Sequence, residues 1–113
     1  DGQATMDFVH VADIARANLL AARSDITDDV FNVASGTETS LEELAHALGH
    51  AMGVDVAPEY GPERATNPVP RRLADTERAH EMLGFESQID LETGLQTLVE
   101  WWRSVDGKIE EPT

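Results

Sequence analysis

The sequence predicts an α/β fold with a few short strands and about four helices, because short apolar runs alternate with segments of helical apolar spacing. The elements follow one another as strand, helix, strand, helix, short strand, helix, helix. This order favours at least one parallel crossover connection. With 113 residues the chain is one domain at most, so all the elements are expected to share a single modest core.

The first strand is expected at residues 6–11 and the first helix from Asp13 to about Arg23, because the carboxylate of Asp13 can accept the free N–H groups of a helix start. From residue 8 to residue 22, only Asp13, Arg16 and Asn18 carry a charge or an amide. A helix that is apolar on nearly all sides is normally covered on several of them. Two or three strands can hardly shield four helices, and the chain does not begin with Met. We therefore expect the missing cover to lie in sequence outside this chain.

The middle of the chain combines a strand with a capped helix. Residues 30–35, VFNVAS, form a mostly apolar run before Gly36, which is typical of a strand buried on both faces. Ser40 lies three residues before Glu43, the spacing of a capping box, and Gly53 is expected to end the helix that follows. Gly36 stands in SGTETS, which lacks the further glycines of a dinucleotide-binding loop, so we interpret it as a turn glycine.

The second half of the chain is expected to hold a short edge strand at residues 54–60, a proline-rich loop and two helices. Asp75 or Thr76 caps a helix that Gly84 ends, and Asp90 caps the last helix. The apolar stripe of that last helix is expected to consist of Leu91, Leu95, Leu98 and Trp102.

Charge and composition exclude several classes of partner. The net charge of −14 at pH 7 argues against nucleic acids and anionic membranes, because both repel an acidic surface. No apolar run reaches the roughly 18 residues that a membrane helix needs, and we expect no signal peptide in this stretch. The absence of cysteine excludes disulfides and suits a reducing cytoplasm. We therefore expect a cytoplasmic single portion covering residues 1–113, with a frayed tail at 107–113.

Two histidines raise the question of a metal site. His46 and His50 lie four residues apart on a predicted helix, a spacing that can place two imidazoles on one metal ion. The stretch HALGH lacks the acidic residue of a zinc-hydrolase signature, and exposed helix histidines are far commoner than ligands. We predict no metal site.

The loop that contains most of the prolines is the candidate binding segment. Arg64, Arg71 and Arg72 cluster there with Asn67, in a chain that is otherwise strongly acidic. Arginine forks bind phosphate bidentately, and a local cluster of them can attract an anion. The alternative is that these arginines pair with nearby carboxylates, and composition does not decide between the two.

Three stretches together carry a family resemblance. DFVHVADIARANLLA, FNVASGTETSLEELAHAL and RRLADTERAHEMLGFESQIDLETGLQTLVEWW resemble the C-terminal part of the extended short-chain dehydrogenases, within them the NAD-dependent epimerase/dehydratase family typified by UDP-glucose 4-epimerase. The match runs from Asp7 to about Arg103 in the family's order. It implies a C-terminal fragment of that fold without its Rossmann core. Residues 30–35 and the helix before them would join the edge of the nucleotide-binding sheet, and the final helices would belong partly to the substrate lobe.

The resemblance also implies what this chain lacks. Family members bind NAD on an N-terminal Rossmann domain with a glycine-rich loop, and they act through a Tyr-x-x-x-Lys pair. Here the only tyrosine, Tyr60, is followed four residues later by Arg64, and the only lysine is Lys108. The chain is therefore expected to have no catalytic residue and to be silent alone, because acid–base chemistry needs its positioned group and its cofactor.

Site residues follow from the resemblance position by position. The arginine that contacts the diphosphate in UDP-sugar epimerases stands immediately before the DFVHV-type strand, and this chain has Met6 there. A second arginine of the family corresponds to Arg64. The Asp that follows it by three residues in the family is replaced here by Asn67, whose amide can still hydrogen-bond a hydroxyl. Arg71 and Arg72 are added as local candidates. The departure at Met6 also keeps open a non-sugar carbonyl substrate.

The leading hypothesis is therefore the substrate-binding C-terminal part of an NAD-dependent sugar-nucleotide epimerase or dehydratase. The partners it implies are a nucleotide-sugar, the N-terminal Rossmann domain of the same polypeptide and, through exposed apolar surface, a homodimer or swapped dimer. The alternative hypothesis is a free-standing, non-catalytic binding or self-assembly module derived from that lobe.

Overall fold

A computed structural model describes residues 2–62 and 70–105. In this part of the chain the elements are β1 (Thr5–Asp7), α1 (Val11–Arg23), β2 (Glu38–Ser40), α2 (Leu41–Met52), α3 (Glu77–Leu83) and α4 (Leu91–Val105). The prediction of few short strands with four helices is confirmed. The two strands pair antiparallel, with Met6 opposite Thr39. The predicted parallel crossover is therefore wrong for β1 and β2, and the parallel pairing that the described residues show is a single bridge between Thr5 and Arg71.

The start of the chain differs from its predicted boundaries. β1 is only three residues long, and α1 begins at Val11 rather than after Asp13. The cap of α1 is His10, whose Nδ1 accepts the N–H of Ala12 at 3.0 Å. A histidine ring can act in this way because its neutral form has one acceptor nitrogen. Asp13 therefore lies inside the first turn instead of capping it.

Neither of the other two predicted strands forms. The structure assigns no strand to residues 30–35, because their backbone makes no hydrogen bond to the backbone of another described segment. The O of Val30 instead accepts a side-chain bond from Arg78 at 2.9 Å. Residues 54–60 also form no strand. At their start the N–H of Val54 turns back to the O of Gly49, at 2.9 Å, and so closes the end of α2.

The helix ends predicted at Ser40, Gly53, Gly84 and Asp90 are confirmed. Ser40 accepts the N–H of Glu43 at 3.0 Å, and α2 ends at Gly53 in a left-handed conformation, with φ of 74°. α3 ends in the same way at Gly84, with φ of 69°. Asp90 directly precedes α4 and accepts the N–H of Thr93 at 2.8 Å. These short-range signals hold because each depends only on groups within one helical turn.

One apolar cluster and one contact between helices hold the elements together. α1 and α3 meet around Ala17, Ala79 and Phe85, with Phe31 and Leu83 partly buried against them. The contact between helices lies where α2 packs against α4. There Leu95 and Val99 are the buried residues of α4. The predicted stripe was therefore partly wrong, because Leu98 and Trp102 are half exposed and Val99 lies inside instead.

Much apolar surface stays uncovered in this structure. Val11 and Val30 keep 75% and 79% of their surface exposed, and Trp101 keeps 55%. None of the helices in the described part of the chain is long and apolar enough to cross a membrane. The apolar exposure agrees with the expectation that further sequence covers this fold.

Candidate functional site

The proline-rich loop returns to the small sheet beside β1. The N–H of Thr5 donates to the O of Pro70 at 2.9 Å, and the N–H of Arg72 donates to the O of Thr5 at the same distance. This makes a parallel bridge between Thr5 and Arg71. Residues 70–72 therefore form a third segment of the sheet, and two of the candidate arginines lie on that edge.

Arg71 is held by an ion pair on this sheet. Its Nε lies 2.8 Å from Oε1 of Glu38, and the hydroxyl of Thr5 donates to the same oxygen at 2.6 Å. The Arg71 hydrogen bond, the Thr5 hydroxyl and the Arg71 charge lower the pKa of Glu38, and Glu38 in turn raises the pKa of Arg71. For Arg71 the alternative of pairing with a local carboxylate is thus the one observed.

The other candidate residues have different positions. Arg72 is exposed, and its side chain forms no ion pair with any described residue. Met6 lies at the centre of β1 and is partly buried. Arg64 and Asn67 fall on residues 63–69, outside the described part of the chain. The structure thus brings Arg71 and Arg72 to one sheet edge and leaves the placement of the other two predicted residues untested.

The turn at Gly36 is closed by a carboxylate of the same chain. Asp7 accepts the N–H of Ser35 at 2.9 Å, the N–H of Gly36 at 2.8 Å and the hydroxyl of Ser35. Gly36 has φ of 78°, a conformation that favours glycine. The N–H groups that a phosphate loop would offer to a ligand are therefore already bonded to Asp7, in agreement with a turn glycine.

A buried carboxylate ties α1 to the segment before α4. Asp13 is only 2% exposed, and it accepts the N–H groups of Gln88 and Ile89, each at 3.1 Å, and a bond from Arg16 at 3.3 Å. Burial disfavours its charge, but the two backbone bonds and the guanidinium together outweigh burial, so the pKa of Asp13 lies below its ordinary value. From the sequence, Asp13 was predicted to cap a helix. No local sequence pattern indicates its contact with Gln88 and Ile89.

Two concave surfaces flank these elements. A cleft of about 800 Å³ runs between the Gly36 turn, the start of α3 and Phe85. An apolar groove of about 590 Å³ lies between the start of α1 and α4. Its lining includes Phe8, Val11, Leu44, Ile89, Leu98 and Trp101. We call this second surface the apolar groove below.

The remaining titratable candidates show no catalytic or metal arrangement in the described residues. Tyr60 is half exposed, and partial burial together with the carboxylate of Glu42 raises its pKa above the ordinary value. His50 lies 3.9 Å from Glu92, and His46 and His50 are both exposed. No group of three or more potential metal ligands occurs in residues 2–62 and 70–105. The two histidines thus behave as surface residues.

Comparison with known proteins finds individual relatives of this chain, although no model of a protein family matches the sequence. The UDP-glucose 4-epimerase of Mycolicibacterium smegmatis is 38% identical over 104 residues, a match that covers 92% of this chain and 33% of that protein. The chain thus spans about a third of the length of such a relative.

Solved structures agree with this match. The UDP-glucose 4-epimerase of Thermotoga maritima, solved with UDP-glucose, has a TM-score of 0.85 and 37% identity over 93% of this chain and 33% of its own. The UDP-glucose 4-epimerase of Stenotrophomonas maltophila, solved with NAD and formylated UDP-arabinopyranose, has a TM-score of 0.86 and 28% identity over 96% of this chain and 33% of its own. In sequence and in fold, the chain belongs to the NAD-dependent epimerase/dehydratase family of extended short-chain dehydrogenases, in which it corresponds to a C-terminal part of a UDP-glucose 4-epimerase-like protein.

Proposed function

We propose that residues 1–113 are the substrate-binding portion of an NAD-dependent sugar-nucleotide epimerase or dehydratase. The observation that carries this proposal is the match along more than nine-tenths of the chain to enzymes that are about three times longer. The exposed apolar surface supports it, because a portion taken from a larger fold leaves the face of its neighbour uncovered. The neighbour would be the N-terminal Rossmann domain of the same polypeptide.

NAD does not fit the described residues of this chain. The glycine turn at Gly36, the position compared above with a dinucleotide-binding loop, already has the N–H groups of Ser35 and Gly36 bonded to Asp7. The cofactor of the complete enzyme would therefore be held by the other two-thirds of the polypeptide. Solved relatives bound to NAD support this assignment for the complete enzyme. The absence of cysteine from the chain supports a cytoplasmic location.

By itself the chain is proposed to be catalytically inactive. Its only tyrosine has a raised pKa, and a general acid or base works best when its pKa lies near the operating pH. The residues of this portion would instead bind and orient the nucleotide-sugar. The candidates are Arg64, Asn67, Arg71 and Arg72, whose guanidinium and amide groups can bind phosphate oxygens and hydroxyls.

Calorimetric titration of UDP- and dTDP-sugars into the chain, and into the complete polypeptide that contains it, tests the proposal. We expect binding that Arg64→Ala weakens about 10-fold or more, since a charged hydrogen bond is lost. The matched control is Arg103→Ala, because Arg103 donates to the O of Met52 in α2, away from the candidate loop. Absence of nucleotide-sugar binding by the complete polypeptide would contradict the proposal.

A second function is favoured by the apolar exposure alone. A free-standing module that retains only this lobe would use its uncovered surface for self-assembly. Tight self-association of a naturally expressed 113-residue product, together with no nucleotide binding, would support that function over the first. The upstream coding sequence separates them further, since a glycine-rich strand–helix turn and a Tyr-x-x-x-Lys pair there belong only to the enzyme.

A further inference from the structure

The two neighbouring arginines of the sheet edge lie on opposite faces of it. Successive side chains along a strand point to opposite faces, and side chains of paired residues share a face. Arg71 is paired with Thr5, and both contact Glu38. These contacts fix one face of the sheet as the ion-paired face.

Arg72 belongs to the other face. It follows Arg71 along the chain, as Met6 follows Thr5, and Met6 is paired with Thr39 on β2. This second face therefore carries a thioether, a hydroxyl and one guanidinium, with no carboxylate from the paired strands. The alternation of side chains therefore places Arg71 on the same face as Glu38 and Arg72 on the opposite face.

Arg72 also differs from the other arginines of the described residues. Arg16 and Arg78 are each paired with an aspartate, and Arg103 donates to a backbone carbonyl. Arg23 lies in the last turn of α1, where a cation is favoured by the helix dipole. Within residues 2–62 and 70–105, the side chain of Arg72 pairs with no carboxylate and lies at no helix end, although the chain carries a net charge of −14.

From this placement we infer that Arg72, and not Arg71, binds the phosphate groups of a nucleotide ligand, while Arg71 with Glu38 braces the sheet that presents it. The inference rests on the proposed function, because it assigns the anionic part of the same nucleotide-sugar site. A guanidinium that pairs with no carboxylate of the described residues keeps its hydrogen-bonding fork free for two phosphate oxygens. An arginine already paired at 2.8 Å must first give up its carboxylate.

Binding of UDP, uridine and inorganic pyrophosphate to the complete polypeptide tests the inference. Arg72→Ala is expected to weaken the binding of UDP and of pyrophosphate about 10- to 100-fold, because a charged hydrogen-bonding group is lost. The affinity for uridine should stay unchanged. Arg72→Lys should recover only part of the loss, since an ammonium keeps the charge without the fork. Arg23→Ala, which removes another exposed arginine, is the matched control and should leave all three affinities unchanged.

The outcomes separate the inference from the proposed function. UDP binding that Arg72→Ala leaves unchanged, or that Arg71→Ala weakens more, overturns the inference and leaves the proposed function standing. Pyrophosphate binding that depends on Arg72, in a protein that binds no UDP, contradicts both, because the inference assigns Arg72 to the phosphates of a nucleotide ligand. A protein that binds none of the three probes overturns both. Circular dichroism of each variant establishes that the fold is retained.

Discussion

At the scale of single residues, Asp13 is the clearest case of a side chain that links distant parts of the chain. We expect Asp13→Asn to destabilise the fold by about 1–3 kcal/mol, because an amide cannot accept both N–H groups of Gln88 and Ile89 and cannot pair with Arg16. Urea unfolding at pH 7 measures this change. Asp25→Asn is the control, since Asp25 is exposed in the loop after α1, and an equal loss there would contradict the role of Asp13.

The same residue predicts how this stability depends on pH. The pKa of Asp13 is lower in the folded chain than its ordinary value of 3.8, so the unfolded state binds its proton first as the pH falls. The stability that Asp13 contributes is therefore fully present above the ordinary pKa of 3.8. It is lost as the pH falls through the lower pKa of Asp13 in the folded chain. The stability difference between the native chain and Asp13→Asn should shrink between about pH 5 and pH 2. A difference that is constant over this range would contradict the assignment.

At the scale of elements, α2 depends on a glycine in its last turns. Ala normally stabilises a helix by about 0.5–1 kcal/mol relative to Gly. At position 49, however, a Cβ would overlap the Cγ2 of Val56, so we expect Gly49→Ala to destabilise the chain by about 1–3 kcal/mol. Thermal unfolding followed by circular dichroism measures this, and the double variant Gly49→Ala/Val56→Ala should recover part of the loss. The loss from Gly53→Ala, where φ of 74° is the obstacle, should not be relieved in that way.

The elements also show which features could be predicted from sequence. Ser40, Gly53 and Gly84 act within one turn, so their patterns located the helix ends. Residues 30–35 failed as a strand because strand formation needs a neighbouring backbone, and apolar composition alone does not supply one. The candidate site has the same limit. The adjacent arginines at 71 and 72 look alike in sequence, and only the pairing register with β1 gives one of them to Glu38.

At the scale of the whole molecule, the chain is more open than its length requires. A compact chain of this length would have a radius of gyration of about 13 Å and, at its mass, an accessible surface of about 6100 Å². The observed values are 17.0 Å and 8747 Å². The excess agrees with a core divided between one small cluster and the α2–α4 contact, and with apolar helix faces that nothing in the described residues covers.

The apolar groove makes this openness testable. Leu98 and Trp101 are each about half exposed there, beside Val11, and burial of such side chains contributes about 25 cal/mol per Å². We therefore expect the isolated 113-residue chain to self-associate, as a dimer or a swapped dimer, and Leu98→Gln/Trp101→Gln to shift it towards monomer. Sedimentation velocity over a range of concentrations measures this. Met82→Gln, a half-exposed position on α3 outside the groove, is the control.

In the complete polypeptide the remaining two-thirds is expected to cover the groove, so the same double variant there should weaken the domain contact and leave self-association unchanged. A chain that stays monomeric at every concentration would contradict the prediction.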